Sequence, residues 1–289
     1  MREAITEVLG PVDRVESVPG MPGEFAAAVY GDTARAFVKA IPAASTFAYL
    51  HERERWAAPH LPEAAPTPRM LWTFSVGVRS APRWLISVWA LINDHARTVD
   101  LGRLSTDTPF VIDAVGQLGK LLTPCPNETR SIVTQLSHMA AKANRMLKRP
   151  PNEVAAHSVY KAALNSFIID ELRGDTLLHS HLDPRHMLIK DRAVSVVGWG
   201  RACAGQAWID PALLAPHFIA GGHTPEQVHT MLWAIPAWRD APAHLMAGLT
   251  ALWTLYHLHE AHYATPPREE FTRLADAGRE WLIYLVTQL

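Results

Sequence analysis

The strongest constraint on the fold is a change in the sequence pattern near Thr108. Before it, short apolar runs predominate, and residues 23–40 (GEFAAAVYGDTARAFVKA) are typical of two strands that meet at a Gly-Asp turn. After it, the apolar spacing follows the helical period. The predicted helices are 109–122, 128–148, 153–172, 209–220, 224–234, 242–263 and 268–287. The pattern predicts an α+β protein with a small β-rich lobe at 1–86, a hinge at 87–93 and a large helical lobe at 94–289.

Two further segments complete the predicted fold. Residues 45–57 carry apolar side chains among charged ones and predict a helix that ends before the prolines at 62, 66 and 68. Residues 187–190 and 193–197 are short apolar runs on either side of Lys-Asp-Arg, and they predict a hairpin set among the helices.

Charge and cysteine content exclude several classes of protein. The 289 residues carry 27 basic and 28 acidic side chains, so the chain lacks the positive field that nucleic acids and anionic membranes require. Cys125 and Cys203 are its two cysteines, which excludes a disulfide framework and a thiolate zinc site. The first residues are charged and no apolar run approaches the length of a membrane span. We expect a cytoplasmic protein with no nucleic-acid or membrane partner.

One segment carries most of the functional information. Residues 177–200 (LLHSHLDPRHMLIKDRAVSVVGWG) resemble the catalytic segment of the aminoglycoside phosphotransferases, relatives of the protein kinases, in which H-G-D-x-x-x-x-N precedes a hairpin that ends in D-W. The resemblance extends to Lys39, where the family has its phosphate-binding lysine, and implies Glu52 as the helix partner of that lysine. Residues 84–94 fit the family's hinge, and residues 205–227 are similar to a stretch of actinobacterial members. The resemblance implies a two-lobed kinase-like fold.

The catalytic positions of this segment depart from the family pattern. The family's catalytic aspartate falls on His181, its metal-binding asparagine on His186, and its second metal-binding aspartate on Gly198. Mg²⁺ prefers hard oxygen ligands, imidazoles replace these poorly, and glycine has no side chain. We therefore expect no Mg²⁺ site and no metal-dependent phosphoryl transfer. The leading hypothesis is a pseudokinase that binds ATP or another nucleotide, a small metabolite, or a partner protein or peptide.

A second hypothesis keeps the enzymatic activity. A non-standard phosphotransferase could use His181 or Asp183 as its base and act on a small-molecule hydroxyl, or on Ser or Thr of a peptide natural-product precursor beside a partner biosynthetic enzyme. His181-Leu182-Asp183 is itself an H-x-D, which favours Asp183, but Leu188 stands where this shifted alignment needs asparagine.

Two more expectations concern charged ligands. His179, His181, Asp183 and His186 form the spacing H-x-H-x-D-x-x-H, which is close to the zinc motif of the metallo-β-lactamases and suggests a zinc-dependent hydrolase. The helical pattern after residue 200 argues against that fold. Arg185 and Arg201 flank the vacated metal positions, and either guanidinium is expected to bind a phosphate or carboxylate.

Overall fold

The computed structural model describes residues 2–32, 34–77, 83–92, 95–148, 157–265 and 269–288. Its strands are β1 (Val12–Ser17), β2 (Phe25–Gly31), β3 (Arg35–Pro42), β4 (Met70–Val76), β5 (Trp84–Ala90), β6 (Arg97–Thr98), β7 (Thr176–Leu178), β8 (Met187–Lys190), β9 (Ala193–Val196) and β10 (Cys203–Gly205). Its α-helices are α1 (Arg2–Leu9), α2 (Ala48–Ala57), α3 (Thr108–Leu121), α4 (Ile132–Lys148), α5 (His157–Asn165), α6 (Ile209–Ala220), α7 (Pro225–Leu232), α8 (Pro236–Arg239), α9 (Ala243–Tyr263) and α10 (Glu269–Thr287).

The chain divides into two compact units. Unit 1 contains the chain up to Arg97 together with Leu188–Ala202, and unit 2 contains Thr98–Met187 and Cys203–Leu289. The predicted helical lobe at 94–289 therefore differs from unit 2, because the hairpin residues 188–202 pack with unit 1. Val196 N–H donates to Pro66 O (2.7 Å), and Trp199 Nε1 donates to Thr67 Oγ1 (3.1 Å). Residue 93, the last of the predicted hinge, and residue 94, the first of the predicted helical lobe, lie outside the described residues.

Unit 1 is built on an antiparallel sheet. The described strands follow the order β1-β2-β3-β5-β4, and the predicted hairpin of β2 and β3 is confirmed, with Ala27 opposite Val38. Side chains alternate between the two faces of a strand, so every second residue enters the same core. The buried core on one face contains Ala27, Val29, Ala36, Val38, Ala40, Ile86 and Val88, covered by Ile5 and Leu9 of α1.

The opposite face of this sheet carries α2. Ile41 and Leu85 pack there against Ala48 and Phe47, at the start of α2. Lys39 and Ile41 are two residues apart on β3, so they share this face, whereas Val38 faces the α1 side. The alternation of the strand therefore places Lys39 under the helix.

Unit 2 is helical, as predicted. Helix α9 is buried on nearly all sides and packs against α10, α4, α5 and α6. Helix α6 is similarly enclosed and begins at Ile209, directly before the buried Asp210. Thr224 and Gln227 form a reciprocal capping box at the start of α7. None of the described helices combines the length and apolar character that crossing a bilayer would require.

Candidate functional site

Lys39 is held by carboxylates on the face of the unit 1 sheet that carries α2. Its Nζ lies 2.6 Å from Glu54 Oε2 and 3.8 Å from Glu24 Oε1, and its side chain is 18% exposed. Burial alone would lower the pKa of Lys39, but the two carboxylates outweigh this effect and raise it. The lysine is therefore a permanent positive charge that is already oriented by the fold.

The prediction that Glu52 is the partner of Lys39 is wrong. Glu52 is exposed, and the buried carboxylate of α2 is Glu54. The buried residues of α2 are Ala48, His51, Glu54 and Ala57, which follow one another at intervals of three. This spacing defines one helix face, and a residue two positions before Glu54 lies roughly 200° away from it around the helix.

Two further side chains, Glu24 and His51, extend the lysine site, and neither was predicted from the sequence. His51 Nε2 lies 2.9 Å from Glu24 Oε1, and Met21 N–H donates to Glu24 Oε2 at 2.8 Å. Burial raises the pKa of Glu24, but its contacts with His51, Lys39 and Met21 outweigh that and lower it. Glu24 therefore remains a carboxylate in contact with the lysine.

The loop of residues 179–187 in unit 2 is held in place by Asp210. Asp210 is 5% exposed, and its two oxygens accept the backbone N–H groups of His179 (2.8 Å) and Ser180 (2.7 Å). Burial raises the pKa of Asp210 to about 6, against the opposing effect of these two donors. Ser180 has a left-handed backbone (φ 60°), so the loop turns sharply at the point where Asp210 clamps it. Asp210 lies in the segment 205–227, which resembles the family, but the sequence predicted no role for it.

Asp183 is engaged in local contacts. It caps the short 3₁₀ turn Pro184–His186, where its Oδ1 accepts Arg185 N–H at 2.8 Å. Arg185 Nη2 donates to Oδ2 at 2.8 Å, and His186 Nδ1 lies 3.1 Å from Oδ1. Burial would raise the pKa of Asp183, but His186 and Arg185 hold it well below its ordinary value. A carboxylate so strongly stabilised in its ionised form is a poor general base.

Three of the four residues of the predicted zinc motif come together. One potential ligand atom each from His181, Asp183 and His186 lies within 4.8 Å of the other two. The rings of His181 and His186 have centroids 4.9 Å apart. His179 is not part of this group: it is completely buried, and its ring packs 5.3 Å from that of His186. His181 is exposed, so the group opens to solvent on that side.

The remaining predicted residues are separated by unit. Gly198 and Arg201 belong to unit 1, where Gly198 has a left-handed backbone (φ 84°) and Arg201 ends the turn that begins at Trp199. Arg185 belongs to unit 2 and also lies 3.6 Å from Glu270 Oε1. Two carboxylates, Asp183 and Glu270, therefore contact the guanidinium of Arg185.

Comparison with solved structures identifies the fold. A thermostable mutant of aminoglycoside phosphotransferase APH(4)-Ia, in ternary complex with ADP and hygromycin B, aligns over 99% of this chain and 98% of that chain (TM-score 0.63, 15% identity). A choline/ethanolamine kinase family protein from Mesorhizobium loti aligns over 99% and 92% (TM-score 0.61, 15% identity). A microcompartment-associated aminopropanol kinase aligns over 99% and 95% (TM-score 0.61, 14% identity). No family model and no curated protein matches the chain. The chain thus has the α+β kinase-like fold that the sequence predicts.

Proposed function

We propose that this protein binds a nucleotide and has lost Mg²⁺-dependent phosphoryl transfer. The observation that carries the proposal is the contrast between an intact framework and altered metal positions. Lys39 keeps a buried carboxylate partner, and Asp210 keeps the loop 179–187 in place. The residues at the two metal positions are His186 and Gly198.

Nucleotide binding is supported by the lysine and by the fold. An oriented cation in a partly buried setting attracts phosphate oxygens, because the surrounding protein screens its charge less than water does. Two of the APH(4)-Ia structures with this fold are complexes with ADP and with AMP-PNP. The adenine nucleotides are therefore the first ligands to test. The alternatives of a small metabolite, a peptide or a partner biosynthetic enzyme stay predictions from the sequence resemblance.

Loss of transfer is supported by the chemistry of the metal positions. Phosphoryl transfer depends mainly on positioning and on neutralising the phosphates, to which bound Mg²⁺ contributes much. Mg²⁺ requires a nearly octahedral set of oxygen ligands, which an imidazole at His186 and no side chain at Gly198 do not supply. Asp183, the one acidic residue of the segment 179–187, is bound by the guanidinium of Arg185.

A second candidate function is phosphotransfer by a non-standard route. What favours it is His181, which is exposed and aligns with the family's catalytic aspartate. Histidine is the most frequent general base in enzymes and Asp183 is bound by an arginine, so His181 is the better candidate base here. The acceptor would be a small-molecule hydroxyl or a peptide Ser or Thr.

Calorimetry with ADP and AMP-PNP, in Mg²⁺ and in EDTA, tests the proposal. We expect binding that changes less than about threefold between the two conditions, and no consumption of radiolabelled ATP. The double variant Lys39→Met with Glu54→Gln removes both charges of the ion pair, and the buried Glu24 keeps His51 and the Met21 N–H as partners. It should bind at least tenfold more weakly, while Lys161→Met, an exposed lysine of α5, should bind normally.

Three outcomes would overturn the proposal. Binding that requires Mg²⁺ would mean that other residues hold the metal. If neither ADP nor AMP-PNP binds, the proposal that the protein binds an adenine nucleotide is wrong. Transfer of labelled phosphate to an acceptor, abolished by His181→Ala, would establish the second candidate function instead.

A further inference from the structure

We infer that His181, Asp183 and His186 bind one borderline divalent cation, of which Zn²⁺ is the representative, at the position where the fold's magnesium chemistry is missing. The inference starts from the three potential ligand atoms, which lie within 4.8 Å of one another. It goes beyond the proposed function, because it concerns a metal site that needs no nucleotide.

The distances are close to those of a coordinated ion. With metal–ligand bonds of about 2.0–2.1 Å, two ligands of a tetrahedral site lie about 3.3–3.4 Å apart. Asp183 Oδ1 and His186 Nδ1 are already 3.1 Å apart. The buried Nδ1 of His186 lies beside this oxygen. A nitrogen and an oxygen placed in this way can share one cation, and the exposed His181 needs only a side-chain rotation to join them.

Two of the three ligands are held in position before any ion binds. Asp183 is almost fully buried and is oriented by the backbone N–H of Arg185. The ring of His186 lies between those of His179, which is buried, and His181. Preorganised ligands bind a metal more tightly, because less conformational entropy is lost on binding.

The donor set selects the class of ion. Two imidazoles and one carboxylate suit Zn²⁺, Co²⁺ or Ni²⁺, whereas Mg²⁺ and Ca²⁺ prefer oxygen ligands alone. Three protein ligands leave one position of a tetrahedral ion for water or for an oxygen of an anionic ligand. The same substitutions that remove the magnesium site therefore create a site of different selectivity.

Arg185 limits the affinity. Its Nη2 lies 2.8 Å from Asp183 Oδ2 and competes electrostatically with a cation on the same carboxylate. Glu270, 3.6 Å from the guanidinium, offsets part of that charge. We therefore expect dissociation constants on the order of micromolar, weaker than those of structural zinc sites.

Titration of tag-free, EDTA-treated and desalted protein with Co²⁺ and Zn²⁺ tests the site. We expect one equivalent of Co²⁺ with the strong visible absorption of a four- or five-coordinate ion, displaced by Zn²⁺ and unaffected by millimolar Mg²⁺. His181→Ala and His186→Ala should each weaken Zn²⁺ binding at least tenfold. Arg185→Gln should strengthen it severalfold, because the competing charge is removed. His138→Ala, on an exposed position of α4, is the matched control.

The inference is overturned if no stoichiometric ion binds. It is equally overturned if His138→Ala weakens binding as much as His186→Ala does, since the ion would then be held by scattered surface histidines. All titrations are made without nucleotide, so failure here leaves the proposed nucleotide binding untouched, and failure of nucleotide binding leaves this result untouched.

Discussion

Asp210→Ala is expected to release the loop of residues 179–187 from the core of unit 2. The Asp210 carboxylate is buried and accepts two backbone hydrogen bonds, from His179 at 2.8 Å and from Ser180 at 2.7 Å. Alanine would leave both donors without these acceptors. His179 is completely buried, so water does not reach the vacated position unless the loop moves.

The magnitude follows from the burial of the two donors. A buried donor that loses its acceptor costs about 1–3 kcal/mol, and the cost for the partly exposed Ser180 lies at the lower end of that range. We expect Asp210→Ala to lower the free energy of unfolding by about 3 kcal/mol. Asp210→Asn keeps one oxygen but directs an NH₂ group at the other donor, so about 2 kcal/mol is expected.

Urea unfolding at pH 7.5 measures the loss, since Asp210, with its pKa of about 6, is ionised there. Asp113→Ala, at an exposed position of α3, is the control and should change stability by less than about 0.5 kcal/mol. Hydrogen exchange locates the effect: the amides of His179 and Ser180 should lose protection in Asp210→Ala and should keep it in the control Asp113→Ala. Unchanged protection at both amides would refute the reasoning, whatever the change in overall stability.

Two further predictions concern packing and pH. Gly200→Ala should destabilise by about 1–3 kcal/mol, because its Cβ would lie 2.9 Å from the carbonyl oxygen of Leu50. Gly116→Ala, in the interior of α3, should instead stabilise by up to about 1 kcal/mol, because its Cβ would lie at an ordinary contact distance, 3.7 Å, from Ile235 Cγ1. Urea unfolding that ranks the two variants alike would contradict this. Burial lowers the pKa of His257 from 6.5 to about 4. Between pH 6.5 and 4 the unfolded chain therefore binds a proton at His257 that the folded chain does not bind. The free energy of unfolding has its full value above pH 6.5 and should fall by up to about 3 kcal/mol as the pH drops to 4. His257→Gln should make this pH dependence shallower but not remove it, because burial also lowers the pKa of His217 to about 4, and the exposed His262→Gln should leave it as it is.

Most secondary structure was predictable because it depends on local pattern. The strands β2 and β3 alternate, and the helices α6, α9 and α10 have the predicted bounds within about a residue. The helix predicted at 128–148 begins four residues later, at Ile132. Glu128 has a left-handed backbone (φ 63°), and Ser131 forms a β-bridge with Ala204 of a distant strand. The helical pattern includes these residues, but the structure does not place them in the helix.

The partner of Lys39 was not predictable from local pattern. Glu52 and Glu54 both belong to the same charged helix, and either residue can form an ion pair with a neighbouring strand. The choice depends on which face of α2 packs on the sheet, and Ala48 and Phe47 decide this through their contacts with Ile41 and Leu85. That information is tertiary, so a spacing taken from the family pattern pointed to the wrong residue.

The role of Asp183, in contrast, was visible in the sequence. Aspartate directly before proline is a typical start of a helical turn, because its side chain accepts the backbone N–H two residues on while proline occupies the first turn position. Asp183-Pro184-Arg185 has this pattern, and the structure forms that turn, with Arg185 N–H bound to Asp183. A capping carboxylate has one oxygen committed to the backbone, and here the Arg185 guanidinium occupies the other. Asp183 is therefore better placed to orient this loop than to accept a proton from a substrate, which leaves His181 as the residue on which any base catalysis would depend.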